Sequence, residues 1–371
     1  MNLRAPAATN PGAEDDGGRK RAPTPRPHVL PARLFPLFVA FLIATAVCSA
    51  LVALSIGAVN IPLGNVWRVV LRHLTGRPAG QNRVQDRIIW NFRAPRVVMA
   101  LLVGSGLSVV GTALQALVRN PLADSYILGV NQGAALGAVL VIVLGSGALG
   151  GLSVSAAAFL GAIVALIMVF LLGQRSGRSN PTRLILAGVA IGHLFSSATS
   201  YLEIHANTSA LAGVVFWLLG SFSGAKWSQL GVPAVVMLAS TTWLMLQRRG
   251  LNALLMGDES AAALGVNLNR FRVELLIVCA LLSGTMVSIA GSIGFVGILV
   301  PHVARLLVGA DHRRVLPVAA LMGASYLVWV DLAARMLEKP AELPIGIFTA
   351  LLGAPFFLWL MKRRDRRGPV V

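Results

Sequence analysis

Apolar runs recur along almost the whole 371-residue chain, at about 36–58, 95–118, 127–147, 151–173, 184–206, 230–247, 272–295, 297–309, 316–336 and 344–361. A helix needs roughly 20 apolar residues to cross a hydrocarbon core of about 30 Å, where only structures that satisfy their own backbone groups persist. This constraint selects an all-α polytopic membrane protein with about ten transmembrane helices. The eighth run is too short to cross alone, so it is expected as a half-helix or as a continuation of the seventh. Only 12% of the residues are charged, against about 25% in a soluble domain. The mean hydropathy is +0.74.

Ten crossings put both termini on one side. With that side cytoplasmic, 22 Lys and Arg lie inside and 10 outside, the asymmetry of the positive-inside rule. The same rule accounts for the net charge of +18. No basic patch with interleaved aromatics is present, so nucleic acid is set aside as a partner. Residues 1–34, rich in Pro, Gly, Arg and acids, read as a disordered cytoplasmic tail. The transmembrane domain then runs over 35–363, and 364–371 form a basic cytoplasmic tail. Cys48 and Cys279 each sit within an apolar run and read as packed free thiols, with no metal-ligand spacing. One loop breaks the charge rule: residues 59–96 hold seven arginines (68, 72, 77, 83, 87, 93 and 96) against Asp86 alone.

Two loop stretches, 65–73 and 213–227, carry Trp67, Trp217 and Trp227 and fit helices lying at the membrane interface. Gly129, Gly133 and Gly137 recur four apart, which bares one helix face for backbone contact with a neighbour.

A transporter needs an energy source. The four lysines (20, 226, 339 and 362) are never followed by Ser or Thr, so no phosphate-cradling GxxxxGK[ST] loop exists. A secondary carrier tends to place carboxylates at mid-membrane. Asp331, Glu203 and Glu274 are the acids near a span, and each falls towards its end. The chain lacks HExxH, DDxxD and GxSxG, and His193 and His302 have no clustered partners, so no catalytic residue and no metal site is expected.

The run "GDESAAALGVNL" (257–268) stands apart, a short polar helix between two long apolar runs. Asp258 suits a cap, Gly265 suits the left-handed position after a helix, and the charge count puts this helix on the cytoplasmic side. It is shaped either for a groove on a soluble partner or as a plain solvated loop helix.

The chain resembles the permease subunits of ABC importers for iron–siderophores, haem and cobalamin, the FecCD family. "RAPR" (93–96) is similar to that family's RLPR. "GTALQALVRNPLAD" (111–124), "LGVNQGAALGA" (128–138), "WLLGSFSG" (217–224), "GDESAAALG" (257–265) and "GFVGILVPHVARLLVGADHR" (294–313) follow in family order. The resemblance spans about residues 36–362; Ala94 replaces a Leu, and Ser125 stands where Pro is usual, which is expected to loosen the turn after Asp124. It implies a cobalamin-permease-like fold at the plasma membrane. It also implies a second permease subunit (homo- or heterodimer), a cytoplasmic ATPase dimer that uses the ATP, and an extracellular or periplasmic substrate-binding protein. No cofactor is expected in this chain. By that resemblance Gly257, Asp258, Ala262, Leu264 and Gly265 contact the ATPase. Arg93, Arg96 and Arg335 dock acidic residues of the binding protein, and Asn120 and Leu122 narrow the pathway as a gate. The alternative is an ion-coupled secondary transporter of an organic solute.

Overall fold

The computed structural model describes residues 30–76, 82–175, 178–179, 181–263, 265, 267–338 and 341–365. Residues 1–29, Leu264 and residues 366–371 therefore lie outside the described residues. Leu30 is already fixed to the bundle: its N–H donates to Leu307 O at 3.1 Å and its carbonyl accepts from Arg314 at 3.2 Å. Packing onto the bundle thus includes Leu30, ahead of Phe35.

Every expected apolar run is a helix, so the architecture is that of an all-α multi-pass membrane protein. In chain order these helices are α1 (Phe35–Ser55), α4 (Ala94–Val118), α5 (Val130–Leu144), α6 (Val154–Gly173), α7 (Pro181–Ile204), α9 (Gly231–Leu246), α12 (Leu268–Ala290), α13 (Val296–Val308), α14 (His312–Met336) and α15 (Ile345–Asp365). Shorter helices join them: α2 (Leu63–Leu74), α3 (Arg83–Arg87), α8 (Thr208–Leu219), α10 (Arg248–Leu255) and α11 (Asp258–Ala263). A six-residue π-helical segment, Ile88–Arg93, feeds α4, and Gln174–Arg175 pairs with Arg178–Ser179 as a minimal antiparallel hairpin.

Local chemistry sets the ends. Asn82, Asn207, Asn267 and Asp311 cap the helices that follow by accepting an N–H from Gln85, Ala210, Arg270 and Arg313. The break between α12 and α13 answers the question of the eighth run. Gly291 (φ 73) ends α12 and Phe295 (φ 66) opens α13, so α13 is a separate 13-residue helix. At 1.5 Å per residue it is about 20 Å long, too short to span the core. Residues 213–227 do not form one amphipathic helix. The continuously apolar α8 stops at Gly220, and Trp227 sits in a separate turn. Residues 65–73 do lie in an amphipathic helix, α2.

α4 is the axis of the fold, buried along most of its length. It packs against α12, α13 and α14, while α5, α6 and α7 form a second group joined through α12. Glycine permits these approaches. A Cβ on Gly104 would lie 2.1 Å from Gly323 O, and one on Gly111 would lie 2.0 Å from Gly297 O. The expected glycine face on α5 is used in the same way, with Gly133 against Gly161 and Gly137 against Ala157.

Gly111→Ala is expected to cost about 1–3 kcal/mol by overpacking α4 against α13. Gly147→Ala, whose Cβ meets nothing within 4 Å, should leave the melting temperature in detergent unchanged.

Candidate functional site

The polar helix α11 is set by its flanking glycines, Gly257 (φ 102) and Gly265 (φ 79). Gly265 N–H donates to Ala262 O at 2.9 Å, which closes the helix at a left-handed residue as expected. Ala261 is fully buried against the bundle, whereas Ala262, Ala263 and Gly265 are exposed and form a small, flat face. Asp258 opens the helix, and its carboxylate holds two arginines. Arg272 Nη2 on α12 lies at 2.7 Å and Arg119 Nη2 at 3.5 Å. Arg119 is the left-handed residue (φ 55) that ends α4.

The preceding helix α10 is tied to α14. Asn252 Nδ2 donates to Asp311 Oδ1 at 2.8 Å, and Asn252 Oδ1 accepts from His312 N–H at 3.0 Å. Burial works against the charge on Asp311. The Asn252 amide, the Arg313 N–H and the nearby His312 and Arg314 outweigh it and hold the carboxyl below the usual carboxylate range. The α10–α11 unit therefore grips α4, α12 and α14 at once.

Immediately after Arg119 comes the Asn120–Pro121 turn. Asn120 Oδ1 accepts the Leu122 N–H at 3.0 Å, and Asn120 O accepts the Ala123 N–H at 3.1 Å, so the turn is closed by its own asparagine. Leu122 lines a cavity of about 410 Å³, mainly apolar, together with Leu218, Leu219, Phe295, Ile298 and the buried Asp124. A smaller cavity of about 160 Å³ adjoins it, with the polar side chains Asn131, Gln132 and Glu203 in its walls. Tyr126, Leu218 and Ser292 border both cavities, and the Tyr126 and Ser292 hydroxyls are hydrogen-bonded at 2.5 Å.

At the opposite end of α4 lie the expected docking arginines, with Arg93 and Arg96 buried and Arg335 half-buried. Arg93 is spent on backbone: its guanidinium donates to Leu54 O (2.7 Å), Ser55 O (3.0 Å) and Val59 O (2.5 Å). It clamps the end of α1. Arg96 and Arg335 come together around Asp331. Arg96 Nε lies 2.8 Å from Oδ1 and Arg335 Nε 3.1 Å from Oδ2. Arg96 Nη1 also reaches Glu342 at 2.8 Å, and the Glu342 side chain is 42% exposed. Asp331 itself is 1% exposed.

A profile of the FecCD transport family matches residues 42–363. The chain belongs to the FecCD transport family. It is 39% identical to the hemin transport system permease of Yersinia pestis over 336 residues, covering 90% of this chain and 97% of that protein. It is 41% identical to the cobalamin import system permease of Halobacterium salinarum over 281 residues, covering 76% of this chain and 75% of that one. Among solved structures, a metal-chelate type ABC transporter in an inward-facing conformation superimposes with a TM-score of 0.77 at 35% identity, covering 88% of this chain and 99% of that one. This FecCD chain is accordingly a multi-pass membrane transport permease.

Ser125, expected to loosen its turn, tightens it. Its N–H, which a proline would lack, donates to Asp124 Oδ1 at 2.7 Å, and its hydroxyl reaches the same oxygen at 3.3 Å. Sequence reasoning did not single out Arg119, Arg272, Asn252, Tyr126, Ser292 or Glu342. For Arg119 the available signal was its place beside the Asn-Pro turn. For the rest, the pairing partners are too far away in the chain for spacing to reveal them.

Asp331→Asn leaves Arg96 and Arg335 underpaired in the interior and is expected to destabilise the FecCD chain by about 3–5 kcal/mol, read as a lower melting temperature. Glu342→Gln, at the exposed edge of the same cluster, should cost less than about 1 kcal/mol.

Proposed function

We propose that this chain is the membrane-spanning half of an ATP-driven importer for a bulky metal–organic chelate, an iron–siderophore or a related haem or corrinoid. A cytoplasmic ATPase dimer seats the exposed face of α11 formed by Ala262 and Gly265, and Leu264 belongs to the same contact by the family resemblance. A second permease subunit, identical or a sister chain, completes the pathway. A substrate-binding protein docks at the far end of α4, and both termini lie in the cytoplasm. The names of the hemin and cobalamin relatives support the substrate class, and the sparse ligand set of the larger cavity suits a solute that must be released.

One observation carries the coupling mechanism: Asp258 on α11 pairs with Arg119, the residue directly before the gate turn. A displacement of α11 by the ATPase pulls on Asp258, and through Arg119 on Asn120 and Leu122. Arg272 carries the same pull into α12. Charge pairs suit this task because they resist separation yet slide more readily than packed side chains. The residue needed at the gate is apolar, and Leu122 stands among Leu218, Leu219 and Phe295. In this reading Asn120 shapes the turn and Leu122 is the plug.

Docking is assigned to Arg96 and Arg335. Glu342 occupies the place that a carboxylate of the binding protein would take on Arg96, so docking exchanges one ion pair for another. Such exchange sets orientation and association rate more than affinity.

In proteoliposomes holding the permease, ATPase and binding protein, Arg119→Ala is expected to cut chelate uptake about tenfold while ATP hydrolysis persists. That is the scale of a 1–3 kcal/mol coupling free energy. Uptake by the permease alone under an ion gradient would instead establish a secondary carrier. Glu342→Gln should speed binding-protein docking and steepen its salt dependence in surface-binding kinetics. Unchanged docking would remove the Arg96 assignment.

A further inference from the structure

At the end of the bundle away from α11, helix α2 divides its surface three ways. Val66 and Val69 are buried against the bundle, and Leu63, Trp67, Leu71 and Leu74 form an exposed stripe at spacings of four, four and three. On the adjoining side Arg68 and Arg72, one turn apart, line a polar cavity of about 420 Å³ whose other walls include Asn65, Asn82 and Gln85.

The charges in this cavity are unbalanced. Arg68 Nη2 donates to Asn65 Oδ1 at 2.6 Å and its Nε to Gly64 O at 3.1 Å, so it is oriented by neutral acceptors. Neither Arg68 nor Arg72 has an ion-pair partner among the described residues. Asp86, which also lines the cavity, is turned to His73 Nε2 at 3.0 Å. A positive concavity next to an apolar stripe matches one component of the surroundings, a phospholipid with its phosphate above and its acyl chains alongside. The depth agrees. His73 of α2 stacks on Trp90, and Trp227 Nε1 donates to Trp90 O at 2.8 Å, so Trp90 and Trp227 lie together beside α2, which itself carries the exposed Trp67. Tryptophans gather where headgroups meet hydrocarbon.

We propose that α2 and α3 form a binding site for an anionic phospholipid in the leaflet at this end. Its phosphate is held by Arg68 and Arg72 and its acyl chains lie along Leu63, Trp67 and Leu71. The lipid fixes α2 at the membrane surface and, through His73 and Trp90, steadies the π-helical entry to α4.

The test uses the full chain reconstituted in bilayers of phosphatidylcholine and phosphatidylglycerol in equal parts. Lipid retained on release is then read by native mass spectrometry. The wild type is expected to retain phosphatidylglycerol in preference to phosphatidylcholine. Arg68→Gln with Arg72→Gln should lower that retention roughly thirtyfold, about fivefold for each basic residue at a charged bilayer surface. Arg249→Gln on α10 should leave it unchanged. Trp67→Ser with Leu71→Ser keeps both arginines and should also weaken retention, which covers the case of a misfolded arginine variant. Equal retention of the two lipids by the wild type would overturn the proposal. So would full displacement by water-soluble glycerol phosphate, which would mark a plain phosphate site. Arginine variants that keep the lipid but lose docking of an acidic binding protein would assign the surface to protein and also overturn it.

Discussion

The contact on which the rest of the structure depends is backbone against backbone along α4. Gly104 meets Gly323 and Gly111 meets Gly297, at distances that leave no room for a Cβ. In lipid there is little hydrophobic gain from bringing helices together, so close packing has to supply the attraction. These glycines bring α13 and α14 onto α4, and burial of α4 is what turns ten apolar helices into one body. The half-length α13 depends on the same contact. Its first turn presents Gly297 O to Gly111 and also to Gln115, whose Nε2 donates to that oxygen at 2.9 Å.

A helix held this firmly can carry force. α4 has 25 residues, about 37 Å at 1.5 Å per residue, and its two ends hold different charge chemistry. Near the start Arg96 joins Asp331, Arg335 and Glu342. At the finish Arg119 reaches Asp258. The two clusters differ in burial as well. Asp331 is shut in between two arginines, whereas Asp258 is 42% exposed in its side chain, with room to move. The first cluster suits a fixed joint and the second a moving one.

Much of the fold was legible because lipid is a severe solvent. Each apolar run had to become a helix, and each did. The glycine spacing from 129 to 137 announced a bare helix face, and Gly133 and Gly137 do pack against α6, while Gly129 is the left-handed residue before α5 and lies against Gly188 of α7. Residues 213–227 misled because two tryptophans suggested a single interfacial helix, while Gly220 at φ 75 cuts it. At the site, Gly265 was readable from its conformation. Asn120, Leu122 and Arg93 were singled out only by resemblance to a family, and the structure turns the Arg93 guanidinium to the carbonyls of Leu54, Ser55 and Val59. An arginine at a helix start reads the same whether it faces a partner or three carbonyls of its own chain.

The sequence by itself determined that the chain crosses a membrane many times, where the helices run, and that a short polar helix interrupts them. These follow from local rules: apolar length, capping side chains and glycine at positive φ act over a few residues. Only the tertiary structure decided which charges meet. Asp258 finds Arg119 across 139 positions and Arg96 finds Glu342 across 246. Such pairs depend on how helices are stacked, and helix stacking in lipid is set by close contacts between residues far apart in the chain.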